Sequence, residues 1–147
     1  MIEARMEVQT SRVHGKGVFA LCHMAAGETL IEYVGQVISM EEAIRRHPHD
    51  PMDPNHTFYF QLGDGRVIDG LHGGNDSRWN NHSCRPNCVP DEVNGRIFIK
   101  TRRPVFRGEE LTFDYDLVSD EPMTAELKAR YACRCGVRKC RGTMLAC

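Results

Sequence analysis

One stretch constrains this chain more than any other: Arg78-Trp79-Asn80-Asn81-His82-Ser83-Cys84-Arg85-Pro86-Asn87-Cys88. It holds three asparagines, two cysteines, a histidine and a proline, and Trp79 is its only bulky apolar group. Asn and Ser side chains compete with the backbone for hydrogen bonds and Pro86 removes a donor, so no regular element suits this composition. The stretch reads as an ordered loop whose side chains bind something. Two later segments answer it. Glu110-Leu111-Thr112-Phe113-Asp114-Tyr115-Asp116 is strand-like and carries a tyrosine, and Cys133-Arg134-Cys135-Gly136-Val137-Arg138-Lys139-Cys140 supplies three thiols.

The thiols decide where composition matters. Seven cysteines cannot all pair within one chain, and clustered thiols in a reducing compartment are better read as metal ligands. Cys133, Cys135 and Cys140 make three ligands, whereas tetrahedral structural zinc takes four, so the fourth thiolate comes from a distance. The central loop offers Cys84 or Cys88. Cys22, Cys88 and Cys147 are expected as free thiols. The 147 residues suit one domain with a real core, and 41% hydrophobic with 27% charged residues is ordinary for a globular chain. A net charge of −1 does not favour direct nucleic-acid binding. No apolar run approaches membrane-spanning length, and residues 1–7 lack the pattern of a signal peptide. The expectation is an intracellular protein, cytoplasmic or nuclear, without a membrane partner. An acid-only block from Glu109 to Glu126 precedes a base-only block from Lys128 to Arg141. The bases suit a zinc site with excess thiolate charge, and the acids suit a basic peptide partner.

Periodicity predicts many short strands and little helix. Met6–Thr10, Val18–Ala20, Thr29–Val34 with an extension through Gln36–Ser39, Arg96–Thr101 and Leu111–Tyr115 read as strands. Thr57–Leu62 and Arg66–Asp69 read as a hairpin around Gly63-Asp64-Gly65. Ser39-Met40-Glu41-Glu42 is a capping box opening a short helix to about His47, and Pro48 stops it. Asp76–Trp79 suggests a helical turn and Thr124–Ala132 a further helix. His47, His49 and His56 lack ligand spacing and read as solvated. Gly15-Lys16-Gly17 reads as a tight turn, not a dinucleotide-binding fingerprint.

Together the three segments resemble the N-H-S-C-x-P-N-C, E-L-T-F-D-Y and C-x-C-x4-C motifs of SET-domain protein lysine methyltransferases with a C-terminal post-SET zinc motif. The resemblance implies a mostly β (β-rich α+β) SET fold with a pseudoknot, a SET domain over residues 5–117 and a zinc-bound segment over 128–147. It implies methyl transfer from S-adenosylmethionine to a lysine of a protein or peptide, with histone-like basic tails the family's commonest substrates. Lys16, Gly17, Arg78, Trp79, Asn81 and His82 occupy the family's cofactor-binding positions, and His82 has the alternative of pinning the loop through a backbone bond. By the family pattern Cys84, with Cys133, Cys135 and Cys140, holds the zinc. Tyr115 matches the catalytic tyrosine, and Tyr59 and Tyr33 are candidates for channel walls. Phe113 and Tyr115, two apart on a strand, leave one face. The family treats position 113 as a switch, where Phe in place of Tyr implies di- or trimethyl-lysine. The family's usual R-F-I-N-H-S-C departs here at Trp79 and Asn80. A stand-alone enzyme is the expectation, with an inactive SET module that binds a peptide or partner as the alternative.

Overall fold

The computed structural model describes residues 5–11, 15–46, 58–115, 124–125 and 140. The cysteine-rich tail apart from Cys140, the pseudoknot expected of the segment after Tyr115, the helix expected over Thr124–Ala132 beyond its first residues, and His47, His49 and His56 lie outside them.

Among the described residues, short strands dominate, and they form four small sheets. The fold is the mostly β one expected. β1 (Met6–Thr10) and β2 (Lys16–Ala20) pair antiparallel, with Val8 opposite Val18. β3 (Thr29–Tyr33) leads into β4 (Gln36–Ile38), and here the expected continuous strand divides. β3 joins a sheet with the strands Arg96–Thr101 and Cys88–Val93, whereas β4 joins the strands Val67–Asp69 and Tyr59–Gln61. Gly35 lies between them, and a side chain there would collide with the carbonyl of Asp69, so the backbones cross too closely for any residue but glycine.

The helix α1 spans Met40–Arg46. Ser39 Oγ accepts from Glu42 N at 3.0 Å, as an N-cap should. The reciprocal half of the expected capping box does not form, because the Glu42 carboxylate turns to Arg45 and Arg46. β5 (Tyr59–Gln61) and β6 (Val67–Asp69) make the expected hairpin. A 3-10 turn at Asp76–Trp79 is capped by Asn75, whose side chain accepts from Ser77 N. It opens onto β7 (Asn81–His82).

The central stretch is therefore not wholly irregular. β7 pairs parallel with β10 (Thr112–Phe113), and Cys88 begins β8 (Cys88–Val93), which returns antiparallel as β9 (Arg96–Thr101). The β8–β9 hairpin turns at Asn94-Gly95, with φ of 53° and 76°. Two positive φ values suit the Asn-Gly turn that matches strand twist, a legible signal that periodicity alone passes over. The expected strand Leu111–Tyr115 shortens to two residues, and side chains join strand neighbours in satisfying its backbone. Asn80 Nδ2 donates to Leu111 O at 2.8 Å, and Thr112 N donates to Asn87 Oδ1 at 3.0 Å.

The main core gathers Val18, Met24, Ile97, Ile99, Val105 and Leu111, each at most 2% exposed. Burying each such side chain contributes about 1.5–3 kcal/mol. Cys88 belongs to this core, and burial pushes its thiol up to about 12. A second cluster joins Ile38, Ala43 and Val67, with Tyr59 against it. No helix among the described residues is long and apolar enough to cross a membrane.

Candidate active site

The asparagines of the central stretch bind the protein's own distant segments. Asn81 Nδ2 donates to Lys16 O and to Glu110 Oε2, both at 2.8 Å. Glu110 Oε1 accepts from Ser11 Oγ at 2.7 Å. Asn87 Nδ2 donates to Glu110 O at 2.8 Å. Three parts of the chain thus meet at one knot: the Ser11–Gly17 region, the loop and the approach to β10. A Cβ at position 17 would lie 2.4 Å from Glu110 Oε2, so a side chain there would push the carboxylate away from Asn81 and Ser11. Glu110 opens the E-L-T-F-D-Y segment, yet its role needs a partner 99 residues away and no local pattern announces it.

On the rim of this knot, Lys16 Nζ lies 4.9 Å from the Trp79 ring centroid and the Arg78 guanidinium 5.4 Å from it. Phe58 packs edge-on against Trp79 at 5.5 Å. Lys16 is exposed, Arg78 and Trp79 are half-buried, and Gly17 and Asn81 are buried. All the predicted cofactor positions therefore fall in one neighbourhood, although about 60 residues separate Gly17 from Arg78 in the sequence.

His82 is 3% exposed. Its Nδ1 accepts from Tyr115 N at 2.9 Å and lies 3.5 Å from Asp114 Oδ1. An accepting Nδ1 assigns the ring proton to Nε2, which sits 3.5 Å from Cys84 Sγ. The histidine thus pins the backbone of Tyr115. Cys84 Sγ in turn lies 3.9 Å from Cys140 Sγ. Cys133 and Cys135 lie outside the described residues, and among those described no group of three metal-binding side chains forms.

A cavity of about 560 Å³ opens beside the knot, lined by residues that include Tyr59, Phe60, Asn80, Phe113 and Tyr115. Its aromatic wall runs from Phe60 to Phe113 (6.2 Å between centroids) and on to Tyr115 (5.2 Å). Phe113 and Tyr115 do meet at one cavity, but not as neighbours on one strand face. The strand ends at Phe113, and the His82 bond to Tyr115 N sets the tyrosine's position. Tyr115 Oη donates to Asn80 O at 2.5 Å. A phenol has a single proton, so with that proton spent the oxygen keeps lone pairs for another donor. Tyr33 is 3% exposed, borders the same cavity and donates to Phe58 O at 2.7 Å. Burial, with Asp69 adding to it, raises the phenols of Tyr33 and Tyr59, so both remain protonated in neutral solution. Glu92 and Asp114 bring acidic side chains to the cavity lining. Phe60 and Asn80 are wall residues that sequence reasoning missed; for Asn80 its departure from the apolar residue usual in the resemblance was the available signal.

These features define a small β-rich domain with an aromatic-walled cleft set against a polar knot of three distant segments. The chain belongs to the SET-domain family, whose model, described as SET domain, matches residues 15–116. It is 34% identical over 146 residues to "Histone-lysine N-methyltransferase TRX1" of Oryza sativa subsp. japonica, covering 95% of this chain and 14% of that protein. It is 36% identical over 134 residues to "Histone-lysine N-methyltransferase ash1" of Drosophila melanogaster, covering 88% of this chain and 6% of that one. A third relative, "Histone H3-lysine(4) N-trimethyltransferase ATX1" of Arabidopsis thaliana, is 35% identical over 146 residues, with 95% and 13% covered. The chain thus spans under a sixth of the length of these curated relatives.

Proposed function

We propose that this domain is a protein-lysine N-methyltransferase that uses S-adenosylmethionine and acts on a histone or histone-like basic segment, beyond the monomethyl state. The observation that carries the reading is the cavity shared by Tyr59, Phe113 and Tyr115, directly beside the knot that gathers Lys16, Gly17, Arg78, Trp79, Asn81 and His82. The relatives' names support the substrate class. The donor set fits the methyl donor: two cations suit its carboxylate, and the Trp79 ring offers its purine an aromatic surface. When bound, S-adenosylmethionine supplies an electrophilic methyl on a sulfonium.

What the chain contributes is alignment and exclusion of water. Aromatic rings confine the lysine side chain, and a confined amine loses far less freedom at the moment of reaction. Desolvation of the amine favours its neutral, nucleophilic form. Because the Tyr115 hydroxyl donates to Asn80 O, its oxygen meets the reacting nitrogen as an acceptor, which orients an N–H there. Glu92 and Asp114 attract a basic segment to the mouth.

The zinc belongs to the same proposal, held by Cys84, Cys133, Cys135 and Cys140. Zn–S bonds of about 2.3 Å in a tetrahedron set two sulfurs roughly 3.8 Å apart, and the Cys84–Cys140 separation of 3.9 Å agrees. Cys88, a protonated thiol in the core, is poorly suited to be a ligand. The domain limits 5–117 and 128–147 are part of the reading, and a histone-like substrate implies a place at chromatin.

Radiolabelled methyl transfer onto histones and onto a cell lysate tests it, with Tyr115→Phe as the control. We expect labelling of a lysine in a basic protein and a loss of roughly a hundredfold in the variant, the scale of a misplaced reacting group. A folded, zinc-loaded protein that labels nothing while still binding a basic peptide would instead make it a binding module.

A further inference from the structure

The strand β8 breaks the pattern that its sheet sets. Residues directly opposite in antiparallel strands leave the same face, and Glu92 lies opposite Ile97, which lies opposite Tyr33 of β3. Ile97 is 1% exposed and Tyr33 3%, so this face looks inward. Along β8 it carries the buried Cys88 and then Pro90, while Val89 and Val93 stand exposed on the outer face. The strand thus sets two valines outward and a carboxylate inward. That carboxylate remains exposed because the inner face ends at the cavity, which Pro90 and Glu92 both line.

The neighbouring charges are already matched. Asp91, on the outer face, pairs with Lys100 at 2.8 Å, Arg96 pairs with Glu32 at 2.7 Å, and Arg66 of the β5–β6 turn pairs with Asp64 at 2.7 Å. Asp114, the other acid of the lining, lies 3.5 Å from His82 Nδ1, beside Tyr115. No cation among the described residues pairs with Glu92. Its Oε1 accepts from Gly63 N at 2.8 Å, which holds the carboxylate against the β5–β6 turn. One backbone N–H leaves most of a carboxylate's accepting capacity open. The cavity itself, about 560 Å³, is of the size that takes a drug-sized ligand, more than one lysine side chain fills.

Resting on the methyltransferase reading, we infer that Glu92 selects the target lysine by pairing with a second basic side chain of the substrate, within about three residues of that lysine. The spacing follows from β5. The Phe60 ring meets that of Phe113 beside Tyr115, and extended chain from Phe60 to Gly63 covers about 10 Å. A lysine whose nitrogen is at Tyr115 therefore leaves Glu92 to a neighbour, and about three extended substrate residues span the same length.

The test uses the whole chain and a histone-tail peptide that the wild type methylates and that carries other basic residues near its target. Each of these within three positions of the target is replaced in turn by glutamine, and kcat/KM is compared with the parent peptide. In the wild type we expect one replacement to lower kcat/KM about fivefold, through KM and less so at high salt, as for an ion pair open to water. Glu92→Gln keeps an acceptor for Gly63 N but no charge, so the same replacement should change little there. Asp91→Asn removes a charge from the outer face and should discriminate as the wild type does. A wild type indifferent to every replacement overturns the inference, even if the variants do not fold. So does equal sensitivity in Glu92→Gln, or an equal loss of discrimination in Asp91→Asn, which would make the effect one of net charge. These results leave the methyltransferase reading standing. Absence of transfer to any histone peptide overturns both.

Discussion

At the scale of single residues, Phe113 shows how little separates packing from specificity. The ring is 4% exposed and lies 5.2 Å from that of Tyr115, so a hydroxyl added at its end reaches the reacting region or strains the core. We predict that Phe113→Tyr shifts products toward monomethyl-lysine, because the new hydroxyl holds the amine or a water and hinders its realignment. Mass spectrometry of a peptide driven to completion with excess methyl donor reads this directly. If the ring only fills the core, the variant would instead lose about 1–3 kcal/mol of stability with no change in product. The same scale separates two cysteines four positions apart. Cys88 sits in the core as a neutral thiol, whereas Cys84 is half-buried with a second sulfur beside it.

At the scale of elements, the parallel pairing of β7 with β10 is too short to hold by its ladder alone. Side chains flank it instead. Asn87 takes Glu110 O with its amide nitrogen and Thr112 N with its amide oxygen, on either side of Leu111, whose own N–H donates to Val18 O of β2. Asn87→Ala leaves those two groups unmatched, and each costs about 1–3 kcal/mol when buried. We therefore expect a loss of about 2–6 kcal/mol, read as a lower denaturant midpoint with an unchanged slope. A loss below about 1 kcal/mol would mean that solvent reaches this junction. The Asn94-Gly95 turn contrasts with it, since two adjacent residues specify that hairpin without help from elsewhere.

At the scale of the whole molecule, the proposed zinc would join the tail to the loop that carries Asn81 and His82. His82 Nε2 lies 3.5 Å from Cys84 Sγ while its Nδ1 holds Tyr115 N, so one ring connects the thiol to the backbone of the proposed catalytic residue. Elemental analysis of purified protein should find about one zinc per chain. Cys84→Ser should lose it and Cys88→Ser should keep it. Retention in the first with loss in the second would exchange their roles. Stripping the metal with a chelator should lower methyl transfer by loosening the wall of the cleft, and restoring zinc should recover it.

What the sequence by itself determined is local and motif-bound: the hairpins, the 3-10 turn before the loop, the start of α1, the β-rich class and the positions of Phe113 and Tyr115. Each depends on residues near one another in the chain, where composition and spacing record the physical constraint. The tertiary structure alone decided that β3 and β4 part into different sheets, that Tyr115 is set by His82 instead of by a strand, and that Glu110 ties Ser11 to Asn81. It also left Asn80 Oδ1 buried without a donor among the described residues. These depend on which distant backbone groups need partners after the chain has closed on itself. A sequence names a donor or an acceptor, but only the packed fold determines which distant group it meets.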